Sequence, residues 1–331
     1  MNSFYPLKVE KIRKLTSNAV ELKFEISSEL ESKFNFQAGQ YITIKQSISG
    51  EEVRRSYSIC SSNKEGICVG VKRVESGKMS SFLTTNIKEG DILEVMPPTG
   101  NFILQGKNVV GICAGSGITP IISMIKAHDS NFTLIYGNQT IDSTMFYDDL
   151  KELNVKTFFV FSKEKVEGSK EGRINVNLLE SLPKDILSAD AYFICGPGEM
   201  IDTISSFLLK KGVKKSKIHF ERFIVSKKQK QIEQTNEITS NVLVSLDGDD
   251  FEFQLSSDGQ SILDAAMEAG ADVPFSCKGA VCCTCKAKVM EGKAVMDANY
   301  SLSKEAVSEG YILTCQAHPI TANIVVDYDE I

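Results

Sequence analysis

Five of the nine cysteines in this 331-residue chain crowd into its last quarter: Cys277, Cys282, Cys283, Cys285 and Cys315. Thiolates are soft ligands, and four of them suit either zinc or an iron-sulfur centre. Zinc modules usually present their ligands as two short pairs. Here Cys277-x4-Cys282-x2-Cys285 puts three on one loop, and Cys315 arrives alone after 29 intervening residues. That spacing is the one plant-type [2Fe-2S] centres use, so Cys277, Cys282, Cys285 and Cys315 are the expected ligands. Ser276, Gly279, Ala280 and Thr284 are small enough for the backbone to close around inorganic sulfur and aim N–H donors at it. Cys283 breaks the ligand register and is assigned to packing. Thiols buried without a metal would leave this density of cysteine unexplained.

Further clusters of residues also carry chemistry. Arg55-Ser56-Tyr57-Ser58 offers a guanidinium fork suited to a phosphate, a flat aromatic face and a hydroxyl that can hydrogen-bond a polar ligand. Taken alone, such a tetrapeptide is also a common surface strand. Gly77-Lys78-Met79-Ser80-Ser81 reads as a helix start, where free N–H groups and the dipole favour anions. Gly115-Ser116-Gly117-Ile118-Thr119-Pro120 follows an apolar strand and opens a helix; its glycines admit a ligand close to the backbone, and Pro120 is tolerated in the first turn. It is not the G-x-G-x-x-G of the common dinucleotide fold. Cys195-Gly196-Pro197-Gly198 closes a later strand; by itself it is a buried cysteine before a tight turn.

These residues need three kinds of scaffold. Residues 1–104 alternate polar and apolar in short runs such as Ala19–Phe24 and Gln40–Ile44, the pattern of an antiparallel β domain. From 105 to 225 continuous apolar strands, Val109–Cys113 for one, alternate with helical segments such as Thr119–Ala127, which predicts a parallel α/β sheet. Residues 226–240 are polar and read as a linker. Residues 241–331 return to strands around one helix, Ile262–Ala269, and the cysteine loop.

Charge divides the chain at the same place. Residues 241–331 hold five lysines and fifteen carboxylates, a net charge of −10, which leaves +4 on the other 240. The whole carries −6, with no excess of positive charge to hold a polyanion, so no nucleic-acid partner is expected. Met1–Glu10 lacks a basic-then-apolar signal pattern, and no apolar run approaches the ~20 residues that cross a bilayer. A cytoplasmic protein with no membrane partner is the expectation, and in that reducing compartment the cysteines stay free of disulfides.

The motifs, in this order, resemble the ferredoxin-NADP reductase superfamily, in the branch with a plant-type ferredoxin fused at the C-terminus. Arg55 to Ser58 fits its R-x-Y-[ST] signature; Gly115 to Pro120 fits its G-x-G-x-T-P loop; Pro274 to Cys285 and Gly310 to Gln316 look like its ferredoxin module. The resemblance implies a β-barrel for FAD, an α/β domain for the nicotinamide nucleotide and a β-grasp ferredoxin domain. It implies that Arg55, Ser56, Tyr57, Ser58, Gly77, Met79, Ser80 and Ser81 hold FAD. It places Gly115, Gly117, Thr119, Pro120, Gly196 and Pro197 at the nicotinamide, and Cys195 beside it, with Glu221 and Phe223 facing the flavin edge. Ser58, Cys195 and Glu221 are the candidates for positioning a hydride step. Ser162-Lys163 stands where NADPH-using members carry Ser-Arg for the 2′-phosphate, so NADPH is expected, with NADH as the alternative through Glu164.

The implied activity is that of an NAD(P)H-dependent oxidoreductase passing electrons from NADPH through FAD and the cluster to a one-electron acceptor protein. Domain order and the run Met296-Asp297-Ala298-Asn299-Tyr300 are most similar to reductases serving diiron oxygenases of the phenylacetyl-CoA epoxidase type. A hybrid-cluster protein or another hydroxylase is the alternative acceptor. A non-enzymatic redox sensor or metal-binding scaffold is the alternative class.

Overall fold

A computed structural model of the chain describes residues 4–129, 131–153, 155–223 and 237–330. It divides into a unit ending at Phe223 and a C-terminal unit.

The larger unit opens with six antiparallel strands: β1 (Tyr5–Thr16), β2 (Ala19–Glu25), β3 (Tyr41–Ile48), β4 (Glu51–Ser58), β5 (Cys68–Lys72) and β6 (Ile92–Thr99), in the order β4-β3-β6-β1-β2-β5. Alternation decides which side is buried: along β1, Leu7 and Val9 point inwards while Pro6, Lys8 and Glu10 point out. Val9, Leu22, Phe24, Ile42, Ile44, Val69 and Val95 share one core. The two sheet edges meet where Ile59 bridges Val69 just past β4, which curls the sheet towards closure. Helix α1 (Lys78–Thr85) covers the barrel between β5 and β6 in sequence.

A parallel sheet follows, built from β7 (Val109–Ala114), β8 (Phe132–Asn138), β9 (Lys156–Phe161), β10 (Lys170–Glu171), β11 (Ala191–Cys195) and β12 (Ile218–Glu221). Its order is β10-β9-β8-β7-β11-β12, so the chain winds outwards from β7 and then returns to its other side. Helices α2 (Ile118–Ala127), α3 (Tyr147–Glu152), α4 (Val176–Ser181) and α5 (Gly198–Lys210) cover the faces. Strands buried on both sides read as apolar runs, which is why β7 and β11 are hydrophobic without alternation. The order reverses between β7 and β11, the topological point where open α/β sheets take ligands in the crevice outside the carboxyl ends of their strands.

One hydrophobic core crosses from barrel to parallel sheet. It joins Ala19, Ala38, Cys60, Cys68 and Phe102 to Ile118, Ile121, Ile122, Leu134, Tyr136 and Cys195. The four cysteines outside the last quarter of the chain, Cys60, Cys68, Cys113 and Cys195, all lie in it, and packing accounts for the first three. At its rim Arg13 of β1 forks onto Asp149 of α3 with two hydrogen bonds of 3.0 and 2.8 Å and reaches Glu21 of β2 at 2.7 Å.

The C-terminal unit has β13 (Thr239–Leu246), β14 (Asp249–Ser256), α6 (Ile262–Glu268), β15 (Lys286–Glu291), β16 (Ala294–Met296), α7 (Lys304–Ser308), β17 (Tyr311–Leu313), β18 (Ala317–Pro319) and β19 (Asn323–Asp327). The main sheet runs β14-β13-β19-β15-β17, with β13 and β19 parallel in its centre. Helix α6 lays Ile262, Leu263, Ala265 and Ala266 on it; Ser261 caps its N-terminus by accepting from the Asp264 amide. Most of the expected linker, residues 226–236 of 226–240, lies outside the described residues, as do the last two residues, 224 and 225, of the expected α/β domain. Thr239 and Ser240 already belong to β13.

The Arg13–Asp149 fork is half exposed, so its contribution is small and screened. Asp149→Ala should lower the unfolding free energy by about 1 kcal/mol. Chemical denaturation at low and at 1 M salt checks this: the difference from wild type shrinks in high salt.

Candidate functional site

Strand β4 carries Arg55 to Ser58, and its pleat sorts them. Arg54 turns inwards, its Nε donating to Glu52 at 2.8 Å beneath the Phe4 ring; Arg55 therefore points into solvent, within reach of an anion. Ser56 shares a 3.2 Å hydrogen bond with Thr43. Burial pushes the Tyr57 hydroxyl above its usual range, with Arg55 opposing the shift, so the ring stays neutral as a stacking face. Gly77 precedes α1, whose first-turn amides have no intrahelical acceptors. Met79 lies in the barrel core, and the Ser80 hydroxyl accepts from the Val74 amide at 3.1 Å. Met79 thus packs the barrel and Ser80 ties the loop, so the side chains of both are turned away from a ligand, and their backbone amides and Ser81 are what the helix start offers a phosphate.

Across the crevice, the loops after β7 and β11 touch. Cys113 and Cys195 are register partners, and a Cβ added to Gly117 would stand 2.3 Å from the Cys195 carbonyl oxygen. Only glycine fits. Gly115 takes φ +56°, and the buried Tyr136 hydroxyl donates to its carbonyl at 3.0 Å. Thr119 donates to Ser116 at 3.0 Å, and Pro120 is buried in the first turn of α2. Cys195 is fully buried, its thiol pushed up by desolvation and by the nearby Glu221 carboxylate. Gly196 and Pro197 follow and start α5.

Glu221 is the register partner of Cys195 on β12, and its carboxylate accepts from the Ser58 hydroxyl at 3.3 Å. The three positioning candidates thus meet from β4, β11 and β12. His219 steadies β12 by stacking on Phe193 at 5.0 Å. Phe223, the last described residue of this unit, is 40% exposed.

Lys72, at the end of β5, was not anticipated. Its Nζ lies 4.0 Å from where a Cβ on Gly115 would stand. Among the described residues it has no acidic or hydrogen-bonding partner, and burial lowers its pKa. A half-buried cation facing a glycine loop fits an anionic ligand. The only signal in the sequence was its place after the apolar run Cys68–Val71.

At the far end of the sheet, the Ser162 and Lys163 amides donate to Asn138 and Gln139 carbonyls at 3.0 and 2.9 Å. Lys163 is exposed. Glu164 accepts from the Ile141 amide at 2.7 Å, which ties one carboxylate oxygen to the loop after β8. The Asn138 amide nitrogen is buried without a partner, an open donor at the edge of the same loop.

In the C-terminal unit the four expected ligands come together as two pairs. Cys277 faces Cys282, and Cys285 faces Cys315. The Cys277 thiol is lowered to about 7 by its hydrogen bond from Cys282 and by the Gly279 and Val281 amides, Gly279 donating at 3.3 Å. Cys315 is lowered by Cys285. Among the described residues no three metal-ligating side chains converge on one point. Electrostatic contacts also run between the pairs, Cys277 with Cys315 and Cys282 with Cys285, so the four thiols form one set whose donors fit a [2Fe-2S] cluster. Lys278, Ala280 and Cys283 all adopt positive φ, between 46° and 62°, so that the loop wraps the pocket. Cys283 packs against the core of this unit, its thiol against Ser301 rather than in the ligand set.

Comparison with known proteins places these features in context. Residues 6–103 match an oxidoreductase FAD-binding domain, 112–206 an oxidoreductase NAD-binding domain and 244–319 a 2Fe-2S iron-sulfur cluster binding domain. The chain is 40% identical to a component of the 1,2-phenylacetyl-CoA epoxidase of Escherichia coli K12, over 99% of each chain. It is 31% identical to the ferredoxin reductase component of the 3-ketosteroid-9-alpha-monooxygenase of Rhodococcus rhodochrous, over 97% of this chain and 96% of that one. Its fold is similar to phthalate dioxygenase reductase, with a TM-score of 0.62, 24% identity and 98% of both chains covered.

Gly117→Ala should force the two crevice loops apart and weaken binding of the oxidised nicotinamide nucleotide at least about tenfold while flavin content stays constant; titrating the flavin absorption with NADP+ and with NAD+ reads both. Cys283→Gly should keep the full iron content and not lower the unfolding midpoint, because left-handed backbone costs a side chain roughly 1 kcal/mol. Iron analysis with thermal unfolding checks this second variant.

Proposed function

Because the chain belongs to the ferredoxin-NADP reductase superfamily, in the branch that joins FAD-binding, NAD-binding and plant-type [2Fe-2S] domains, we propose that it delivers electrons to a diiron oxygenase of the phenylacetyl-CoA epoxidase type. It is an NAD(P)H-dependent oxidoreductase, the reductase component of an oxygenase system. The observation that carries the choice of acceptor is the 40% identity to the epoxidase component along 99% of both chains.

When bound, the nicotinamide nucleotide would supply hydride chemistry, FAD the exchange between paired and single electrons, and a [2Fe-2S] centre held by Cys277, Cys282, Cys285 and Cys315 one-electron transfer. The chain's own residues do the positioning. Arg55 and the start of α1 hold the flavin's phosphates, and Tyr57 gives its ring a face. The loops Gly115 to Pro120 and Cys195 to Pro197 bed the nicotinamide, where the buried Cys195 thiol keeps water out. Glu221 orients the Ser58 hydroxyl toward the flavin edge, and Phe223 covers that edge. Lys72 supplies positive charge to the nucleotide at the Gly115 loop. Cys277, Cys282, Cys285 and Cys315 hold the cluster. No proton-transfer dyad is required, because geometry and orientation supply the rate.

NADPH is the proposed donor. Lys163 is exposed beside Ser162, whereas Glu164 is tied to the Ile141 amide, which disfavours its use as a ribose acceptor. We place the domain limits at 1–104 and 105–225, with the C-terminal domain starting at Thr239, where β13 begins, rather than at 241, and the protein in the cytoplasm. Among the described residues no helix is long and apolar enough to cross a membrane.

Cys285→Ser should leave NADPH-driven ferricyanide reduction intact and abolish cytochrome c reduction. Undiminished transfer to cytochrome c overturns the route through the cluster. Supplying the wild-type protein with the diiron oxygenase and its acyl-CoA substrate should couple NADPH consumption to oxidation of that substrate; uncoupled consumption overturns the proposed acceptor.

A further inference from the structure

A buried hydroxyl relay stands behind the second pair of thiols. Tyr328 follows β19 and is 3% exposed; its hydroxyl donates to Thr314 Oγ1 at 2.6 Å. Thr314 is fully buried, and its hydroxyl donates in turn to the Cys285 carbonyl at 3.0 Å. The same carbonyl also accepts from the Thr314 amide at 3.1 Å. Thr314 precedes Cys315, so both bonds fasten the backbone of one ligand of the pair to the neighbour of the other. Tyr328 is itself fixed, its amide donating to Ser245 of β13 at 3.0 Å.

The direction of the relay follows from proton count. A threonine hydroxyl has one proton and two lone pairs. With a lone pair filled by Tyr328, that proton is directed at Cys285. Without the tyrosine hydroxyl, Thr314 loses a donor in a site closed to water and can rotate away from the carbonyl. Partners behind the ligands orient them and tune what they hold.

We infer that Tyr328 is a positioning residue for the [2Fe-2S] cluster, setting through Thr314 the placement of Cys285 against Cys315. The inference rests on the cluster reading above, and it reaches a residue thirteen positions beyond the last ligand that no ligand spacing points to.

The test uses the full chain, reconstituted anaerobically with iron and sulfide. Tyr328→Phe and Thr314→Val should both keep two irons per chain, change the electron paramagnetic resonance g-values of the dithionite-reduced cluster, and lose iron to a chelator at least about tenfold faster. Thr314→Ser should restore the wild-type spectrum. Ser240→Ala is the control: it removes a fully buried hydroxyl, bonded to the Thr321 carbonyl at 2.6 Å, at the opposite end of β13. It should lower stability without altering the spectrum. Wild-type spectra in both relay variants, with iron loss no faster than in Ser240→Ala, overturn the inference alone. A wild-type protein showing no two-iron signal overturns the cluster reading and the inference with it.

Discussion

The apolar core shared by the barrel and the parallel sheet is the constraint on which the flavin and nicotinamide chemistry depends. Ser58 and Glu221 are separated by 163 positions, yet their side chains meet at 3.3 Å. No local signal draws them together. Packing of Cys60, Cys68 and Phe102 from the barrel against Ile118, Ile121 and Cys195 from the sheet fixes the two lobes, and the polar contact follows. Interiors packed at crystal-like density transmit position well, so a hydride donor and acceptor bedded on either side inherit that precision.

Glycine and cysteine do opposite work at the two redox ends. At the crevice, Gly117 allows two loops to touch backbone to backbone, and any side chain would part them. At the cysteine loop the tight path is imposed on Lys278, Ala280 and Cys283, residues that bear the cost of left-handed backbone. Strain of this sort persists only where surrounding contacts over-determine it. Here the Lys278 pairing with Asp264 at 2.6 Å, the Gln316 bond to the Lys278 carbonyl and the Tyr300 amide bond to Ala280 hold the loop from three sides.

Charge and hydrophobicity divide the labour between the units. Polar bonding in the larger unit gathers at the rim, as with Arg13 and Asp149, while its redox residues sit over apolar layers. The C-terminal unit is strongly acidic, its residues 241–331 carrying a net charge of −10, and it has an apolar core around the thiols. A surface of that sign attracts basic groups and repels acidic ones, and the interior buries Cys282, Cys285 and Cys315 while leaving Cys277 partly exposed.

Much of this was legible in the chain itself. The ligand loop Cys277 to Cys285, the tetrapeptide Arg55 to Ser58, the glycine loop at 115–120 and the change from alternating to continuous apolar strands are local patterns, and Cys315 was legible only through its fixed spacing from that loop. Cys283 as a packing residue was legible for the same reason. What the tertiary structure alone decided is which distant groups become neighbours: Lys72 beneath the Gly115 loop, Glu164 tied to Ile141, Met79 turned into the barrel, and Tyr328 behind Cys285. Those placements depend on how whole layers pack, and packing reads the shape of a surface that no short stretch of sequence contains.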